Sequence, residues 1–64
     1  MYAIYANLRD QKGVRDAEVA KATGIPYSTL SDWKAGRYTP KVDKLMKLAD
    51  YFGVKLEELL KGEA

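Results

Sequence analysis

The chain has 64 residues, with 11 Lys or Arg against 9 Asp or Glu, and contains neither cysteine nor histidine. This length predicts one domain over residues 1–64 that buries only about 60% of its unfolded surface, and the lack of Cys and His argues against disulfides, metal sites, cofactors and triad-type catalysis. No apolar run approaches the ~18 residues of a membrane span, so we expect a cytoplasmic protein without membrane contact, and we expect neither an enzyme nor a small-molecule ligand. The net charge of only +2 does not indicate a partner by itself.

The first predicted helix covers about residues 1–12. Ile4 and Leu8 stand four residues apart with Tyr5 beside them, which gives this helix one apolar side. Gly13 follows and is suited to end the helix in the left-handed conformation.

The next two predicted helices are separated by a tight turn. Residues 16–23 form the second helix, and Asp16 caps its start because a carboxylate suits free helix amides and the helix dipole. Residues 26–35 form the third helix, where Pro26 is tolerated in the first turn. Gly24 lies between the helices and permits a positive φ. Two short helices joined in this way match the helix-turn-helix motif, whose second helix enters the DNA major groove.

The third helix has an apolar face and a polar face. Leu30 and Trp33 lie three residues apart and share the apolar face. We expect Trp33 to be a core residue that the fourth and fifth helices cover. The opposite face carries hydrogen-bonding side chains, at Tyr27, Ser28, Ser31 and Asp32.

The last two predicted helices supply much of the core. The fourth covers residues 40–52, with Thr39 as its cap and Pro40 as its first residue. Three- and four-residue steps predict a buried stripe made of Val42, Leu45, Met46, Leu48, Ala49 and Phe52. The fifth covers residues 55–61 and ends at Gly62, with apolar side chains at Leu56, Leu59 and Leu60.

Positive charge is concentrated directly after the third helix. Residues 34–47 carry five bases and one acid, whereas residues 1–33 balance to zero and residues 48–64 to −2. Basic and hydroxyl side chains beside the free N-terminus of the fourth helix form a ready phosphate site. The cluster consists of Lys34, Arg37, Tyr38 and Lys41, and we favour phosphate contacts from Arg37 and Lys41 over a merely solvated loop.

Together these residues resemble the lambda-repressor-like family of helix-turn-helix domains, also known as Cro/C1 or XRE. The resemblance covers about Asn7 to Leu60. It rests on a small residue before the turn, the turn glycine, an apolar residue in the third helix and a tryptophan before a glycine, which are Ala20, Gly24, Leu30, Trp33 and Gly36. It implies an all-α, compact five-helix lambda-repressor-like DNA-binding domain with the helix-turn-helix in helices 2 and 3.

By position, the resemblance implies that the third helix reads DNA bases. Tyr27, Ser28 and Asp32 match base-reading positions, and Thr29 matches a position used for base or phosphate contact. A tyrosine ring suits a thymine methyl group, a serine suits a base edge, and an aspartate accepts from a cytosine amino group. The alternative is that these side chains are only solvated, and that Asp32 rejects wrong sequences or pairs with Lys34.

The resemblance also bears on the ends of the first two helices. Family members often carry an arginine near the end of helix 1 that touches a phosphate while pairing with an acid after the tryptophan. Arg9 takes that place and is expected to reach a phosphate, but Lys34 follows Trp33, so the acid that would orient Arg9 is missing. Where members commonly carry a phosphate-binding glutamine, this chain has Asp16, which would repel a phosphate. We therefore expect only backbone amides to contact DNA near Asp16.

The leading interpretation is sequence-specific binding of a double-stranded DNA operator by a phage- or bacterial-type repressor or regulator, nucleoid-associated when bound. In this interpretation the protein acts as a homodimer, because two copies of the third helix ~34 Å apart multiply affinity and specificity. By resemblance, the dimerisation residues are Val54, Lys55, Leu56 and Leu59. The alternative is a protein–protein interaction module, antitoxin-like or adaptor, on the same fold, which Asp16, Lys34 and the low net charge favour.

Overall fold

The computed structural model describes residues 2–61, so the predicted helix start at Met1 and the predicted helix end at Gly62 lie outside the described residues. Within that range there are five helices and no strand: α1 (Tyr2–Lys12), α2 (Asp16–Thr23), α3 (Tyr27–Lys34), α4 (Val42–Phe52) and α5 (Leu56–Leu60). The predicted all-α five-helix fold is therefore confirmed. None of these helices has the length and apolar character needed to cross a membrane.

Helices α3 and α5 are slightly shorter than predicted. Pro26 precedes α3 as its N-cap, because its ψ of 140° is extended rather than helical. Ala35 is the C-cap of the same helix. The extended backbone of Lys55, with a ψ of 152°, likewise makes it the N-cap of α5.

The start of α4 differs more from the prediction. Lys41 has an extended backbone, with φ −81° and ψ 170°, and is the N-cap of a helix that begins at Val42. The predicted capping role of Thr39 is therefore wrong. Pro40 is a buried residue of the preceding loop rather than the first residue of α4.

One hydrophobic core lies between the five helices. Its buried members are Tyr5, Val19, Ile25, Leu30, Trp33, Leu45, Leu48, Ala49 and Leu59. The prediction that Trp33 is a core residue is confirmed, since only 5% of its surface is exposed. The aromatic rings against it belong to Tyr2 and Tyr5 of α1, at centroid distances of 5.3 and 5.2 Å. Helix α1 therefore packs against Trp33, whereas the sequence predicted that the fourth and fifth helices would cover it.

The buried stripe of α4 is narrower than predicted. Leu45, Leu48 and Ala49 are buried, but Val42 and Met46 are 57% and 51% exposed. These two residues lie four positions apart, on a row beside the buried stripe. Their predicted burial is wrong because no other described helix covers that row.

Candidate nucleic-acid interface

The turn between α2 and α3 is fixed by a glycine and a threonine. Gly24 has a φ of 77°, which residues with a side chain rarely adopt, and its amide donates to the Ala20 carbonyl at 2.9 Å. The Thr23 hydroxyl donates to the Val19 carbonyl and accepts from the Ile25 amide, at 2.7 and 3.3 Å. The buried side chain of Ile25 then anchors the start of α3 in the core.

Helix α3 presents a polar face away from the core. Leu30 and Trp33 are buried, whereas the Tyr27 side chain is 58% exposed. Thr29 is half-buried at the edge of this face. The same face carries three further exposed or half-buried side chains, which are Ser28 and, three and four residues after it, Ser31 and Asp32. Ser31 was not among the predicted base-contacting residues, although its spacing from its neighbours was a sufficient signal.

The end of α3 is closed by a hydrogen-bonded turn. The amides of Gly36 and Arg37 donate to the carbonyls of Trp33 and Asp32, at 3.1 and 2.8 Å. This pattern is the Schellman motif, and Gly36 takes the left-handed conformation that it requires, with φ 79°. The backbone therefore brings Arg37 back beside the last turn of α3.

An ion pair joins the side chains at this turn. Arg37 Nε and Nη2 donate to Asp32 Oδ1, at 3.1 and 2.9 Å. The alternative that Asp32 pairs with Lys34 is therefore wrong. The bonds to the Asp32 carboxylate therefore compete with the phosphate contact predicted for Arg37.

Three further predicted phosphate contacts are available to a partner. Lys34 and Lys41 are exposed, Tyr38 is half-buried, and none of the three forms an ion pair or side-chain hydrogen bond within residues 2–61. The N-terminus of α4 has no side-chain cap. Its first amides and Lys41 can therefore face an anion together.

Asp16 links α1 and α2 rather than capping α2. Its Oδ1 accepts from the Tyr5 hydroxyl at 2.6 Å and from Arg9 Nη1 at 2.9 Å. The N-cap is Arg15, whose amide donates to the Glu18 carboxylate at 3.2 Å. The predicted capping role of Asp16 is therefore wrong, because its side chain points to α1.

This network shifts the pKa values of its members. Burial alone would raise the pKa of Asp16, but hydrogen bonds from Tyr5 and Arg9 outweigh it and hold that pKa below its ordinary value. The positive charge of Lys34 acts in the same direction. Burial, followed by the bond to Asp16, raises the pKa of Tyr5. Asp16 is therefore a stable anion at neutral pH.

Arg9 has other acids in place of the one that is missing after Trp33. Its Nη1 donates to Asp16 and to the Tyr2 hydroxyl, the latter at 3.3 Å. Its Nε and Nη2 lie 3.2 and 3.1 Å from Asp10 Oδ1. Only 21% of the Arg9 side chain is exposed. Arg9 is thus mainly a link between α1 and α2, and its predicted phosphate contact has little free surface.

A surface groove of about 440 Å³ lies where α1 ends and where α2 and α3 begin. It brings predicted base and phosphate contacts together, since Arg9 and Tyr27 both line it. Arg15 also lines it and is exposed. Arg15 was not among the predicted site residues, because only the tertiary arrangement places it beside Tyr27.

The predicted dimerisation residues differ in accessibility. Lys55 is exposed, and Val54 and Leu56 are half-buried. Leu59 is fully buried within the chain and has no surface to offer a partner. Leu60, one residue further along α5, is 36% exposed.

Comparisons with known proteins place these features in context. The profile described as helix-turn-helix matches residues 6–59. The HTH-type transcriptional regulator DdrOP3 of Deinococcus deserti is 36% identical over 55 residues, which are 86% of this chain and 43% of that protein. The cryptic phage CTXphi transcriptional repressor RstR of Vibrio cholerae is 32% identical over 54 residues, 84% of this chain and 49% of that protein. The chain thus spans less than half the length of these relatives.

Proposed function

The chain belongs to the helix-turn-helix family of the Cro/C1 type, and from that premise we propose that it binds double-stranded DNA in a transcriptional regulator. Helix α3 enters the major groove and reads base edges, so that binding is sequence-specific. The observation that carries this proposal is the division of α3 into a buried face, with Leu30 and Trp33, and a polar face that is open to a partner.

Different side chains take different parts in the proposed complex. Tyr27, Ser28 and Ser31 meet base edges, because hydroxyl groups on the exposed face of α3 can donate to and accept from bases. Lys34 and Lys41 meet phosphates, aided by the first amides of α4. Phosphate contacts fix the position of the helix in the groove, and base contacts select the sequence.

Binding to DNA is expected to depend steeply on salt. If three phosphates are neutralised per chain, the association constant falls about 40-fold between 50 and 200 mM monovalent salt. Fluorescence anisotropy of a labelled duplex measures the constant, and amide shifts of the isotopically labelled protein locate the contact on α3 and the loop after it. A folded protein whose α3 amides stay unshifted at about 50 mM salt would contradict DNA binding and support a protein partner.

The phosphate contact of Lys41 has its own test. Lys41→Ala is expected to weaken binding to all duplexes alike and to reduce the slope of log K against log salt by about 0.9. Lys21→Ala, at an exposed position of α2, is the matched control and should leave the slope unchanged. Equal slopes for the two variants would remove Lys41 from the interface.

We further propose that two chains bind DNA as a homodimer. Two copies of α3 about 34 Å apart would contact one face of the duplex, and the paired contacts multiply affinity. The contact surface would be formed by Val54, Lys55 and Leu56, together with the exposed part of Leu60. Two chains per duplex in native mass spectrometry are expected, and one chain per duplex on a two-half-site operator would contradict the dimer.

A further inference from the structure

The closing turn of α3 carries an unusual pair of side chains. In a Schellman motif, the third residue from the helix end and the second residue beyond the cap commonly make a hydrophobic contact. Here those positions are Asp32 and Arg37, and the contact is an exposed ion pair. Because the backbone hydrogen bonds of the motif fix the two positions, the pair is held at the end of the polar face of α3.

We propose that Arg37 and Asp32 act together to read one G·C base pair, with Arg37 binding guanine and Asp32 orienting it. The inference rests on the proposed DNA binding and adds the base that this part of the interface selects. It replaces the phosphate contact predicted for Arg37.

The hydrogen bonds of the pair leave the required donors free. A guanidinium has five N–H groups, and Asp32 Oδ1 occupies one on Nε and one on Nη2. Three N–H groups remain, one on Nη2 and two on Nη1. The one on Nη2 and the outer one on Nη1 point away from the end of Arg37 as two parallel donors. Guanine presents two acceptors, O6 and N7, that match such a fork.

Asp32 also has a free acceptor for the same base pair. Both bonds from Arg37 end on Oδ1, and Oδ2 accepts no hydrogen bond within the described residues. Cytosine presents its N4 amino group in the major groove beside O6 of the guanine. A fixed arrangement of two donors and one acceptor is therefore complementary to the edge of a G·C pair.

Electrostatics favours a base over a phosphate at this place. The pair has no net charge, so it gains little from the field of the DNA backbone, and the Asp32 carboxylate repels any phosphate near Arg37. Guanine O6 and N7 are neutral acceptors and avoid this repulsion. Adenine instead presents a donor at N6, which faces the donors of Arg37. The preference for guanine is expected to be about 5- to 150-fold, from the usual discrimination of a bidentate contact.

Selection from randomised duplexes at one fixed salt concentration tests the proposal. The unsubstituted chain is expected to select a guanine at one position of each half-site. Arg37→Lys keeps the charge but removes the fork, and Asp32→Asn keeps the size but loosens the ion pair. Both variants are expected to lose preference at that position alone. Lys21→Arg, which alters an exposed basic side chain of α2 outside the pair, is the control and should keep the guanine.

A second measurement distinguishes the role of Asp32 in orienting Arg37 from the effect of its negative charge. Asp32→Asn removes a negative charge, so its affinity for a duplex without the selected guanine should equal or exceed that of the unsubstituted chain. Its selectivity should nevertheless fall by about 5-fold or more. Far-UV circular dichroism verifies that both variants are folded, as expected for changes at exposed side chains.

Three results would overturn the proposal in different ways. A guanine preserved with Arg37→Lys would mean that the fork does not read it. Equal weakening on all duplexes by Arg37→Ala, with a slope reduced by about 0.9, would make Arg37 a phosphate contact and leave DNA binding intact. Failure of the unsubstituted chain to bind any duplex would overturn the proposed function together with this inference.

Discussion

The Trp33→Ala chain is expected to lose about 3–5 kcal/mol of its free energy of unfolding, the usual cost of truncating a buried aromatic side chain. Trp33 is 5% exposed, and its ring packs against Tyr2 and Tyr5. A chain of 64 residues has a total of about 3–10 kcal/mol at ordinary stability per residue. The loss therefore amounts to between about a third and all of the stability of the protein, and the variant should unfold at a much lower urea concentration or be unfolded without urea.

Urea denaturation followed by far-UV circular dichroism measures this effect. The matched control is Tyr27→Ala, since Tyr27 is also an aromatic residue of α3 but is 58% exposed. Its stability should stay within about 0.5 kcal/mol of the unsubstituted chain, while its affinity for DNA falls. An unchanged urea midpoint for Trp33→Ala would show that the ring is not needed for the core.

Local patterns were enough to predict the helices and most of the core. Leu30 and Trp33 share a face because of helical periodicity, and that periodicity holds whatever surrounds the helix. The width of a buried stripe is different, because it depends on how many neighbours pack against the helix. Val42 and Met46 fit the apolar spacing of α4 equally well, yet the structure leaves them exposed.

At the start of α4, a tertiary contact overrides the local preference of the sequence for a helix start. Threonine followed by proline is a common helix start, so the sequence favoured Thr39 as cap. Pro40 is buried in the loop, and Lys41 has the extended backbone of an N-cap. The burial of Pro40 is a tertiary feature that the local sequence does not contain.

The parts of the candidate site that depend on a single helix could be predicted from the sequence. The polar face of α3 follows from helical periodicity. Gly36 could have indicated the Arg37–Asp32 pair, because a left-handed residue after a helix brings the next residue back beside the last turn of that helix. The Tyr5–Asp16 bond joins residues 11 apart, on two different helices. Its existence depends on how α1 and α2 meet, which neither helix specifies by itself.

Removing the Asp16 carboxylate is expected to lower the free energy of unfolding by about 1.5–3 kcal/mol at neutral pH, the range for hydrogen bonds to charged groups. In Asp16→Ala the Tyr5 hydroxyl loses its acceptor and Arg9 loses one of its two acids. The side chains of Asp16 and Arg9 are only 16% and 21% exposed, so water replaces the lost bonds poorly. The control is Asp10→Ala, which also removes a partner of Arg9 but from a side chain that is 69% exposed. It should cost less than about 1 kcal/mol.

The effect of Asp16 should disappear in acid, and the direction follows from its pKa. The folded state holds the pKa of Asp16 below its ordinary value of 3.8, so the folded chain binds the proton less readily than the unfolded chain. The stabilisation is fully present above that value and is lost as pH falls through the lower, folded pKa. Urea midpoints should therefore separate the unsubstituted chain from Asp16→Ala by the same amount at about pH 5 and pH 7, and by less at about pH 3. An equal separation at all three pH values, or a cost no larger than that of Asp10→Ala, would contradict an ionised Asp16 as the link between α1 and α2.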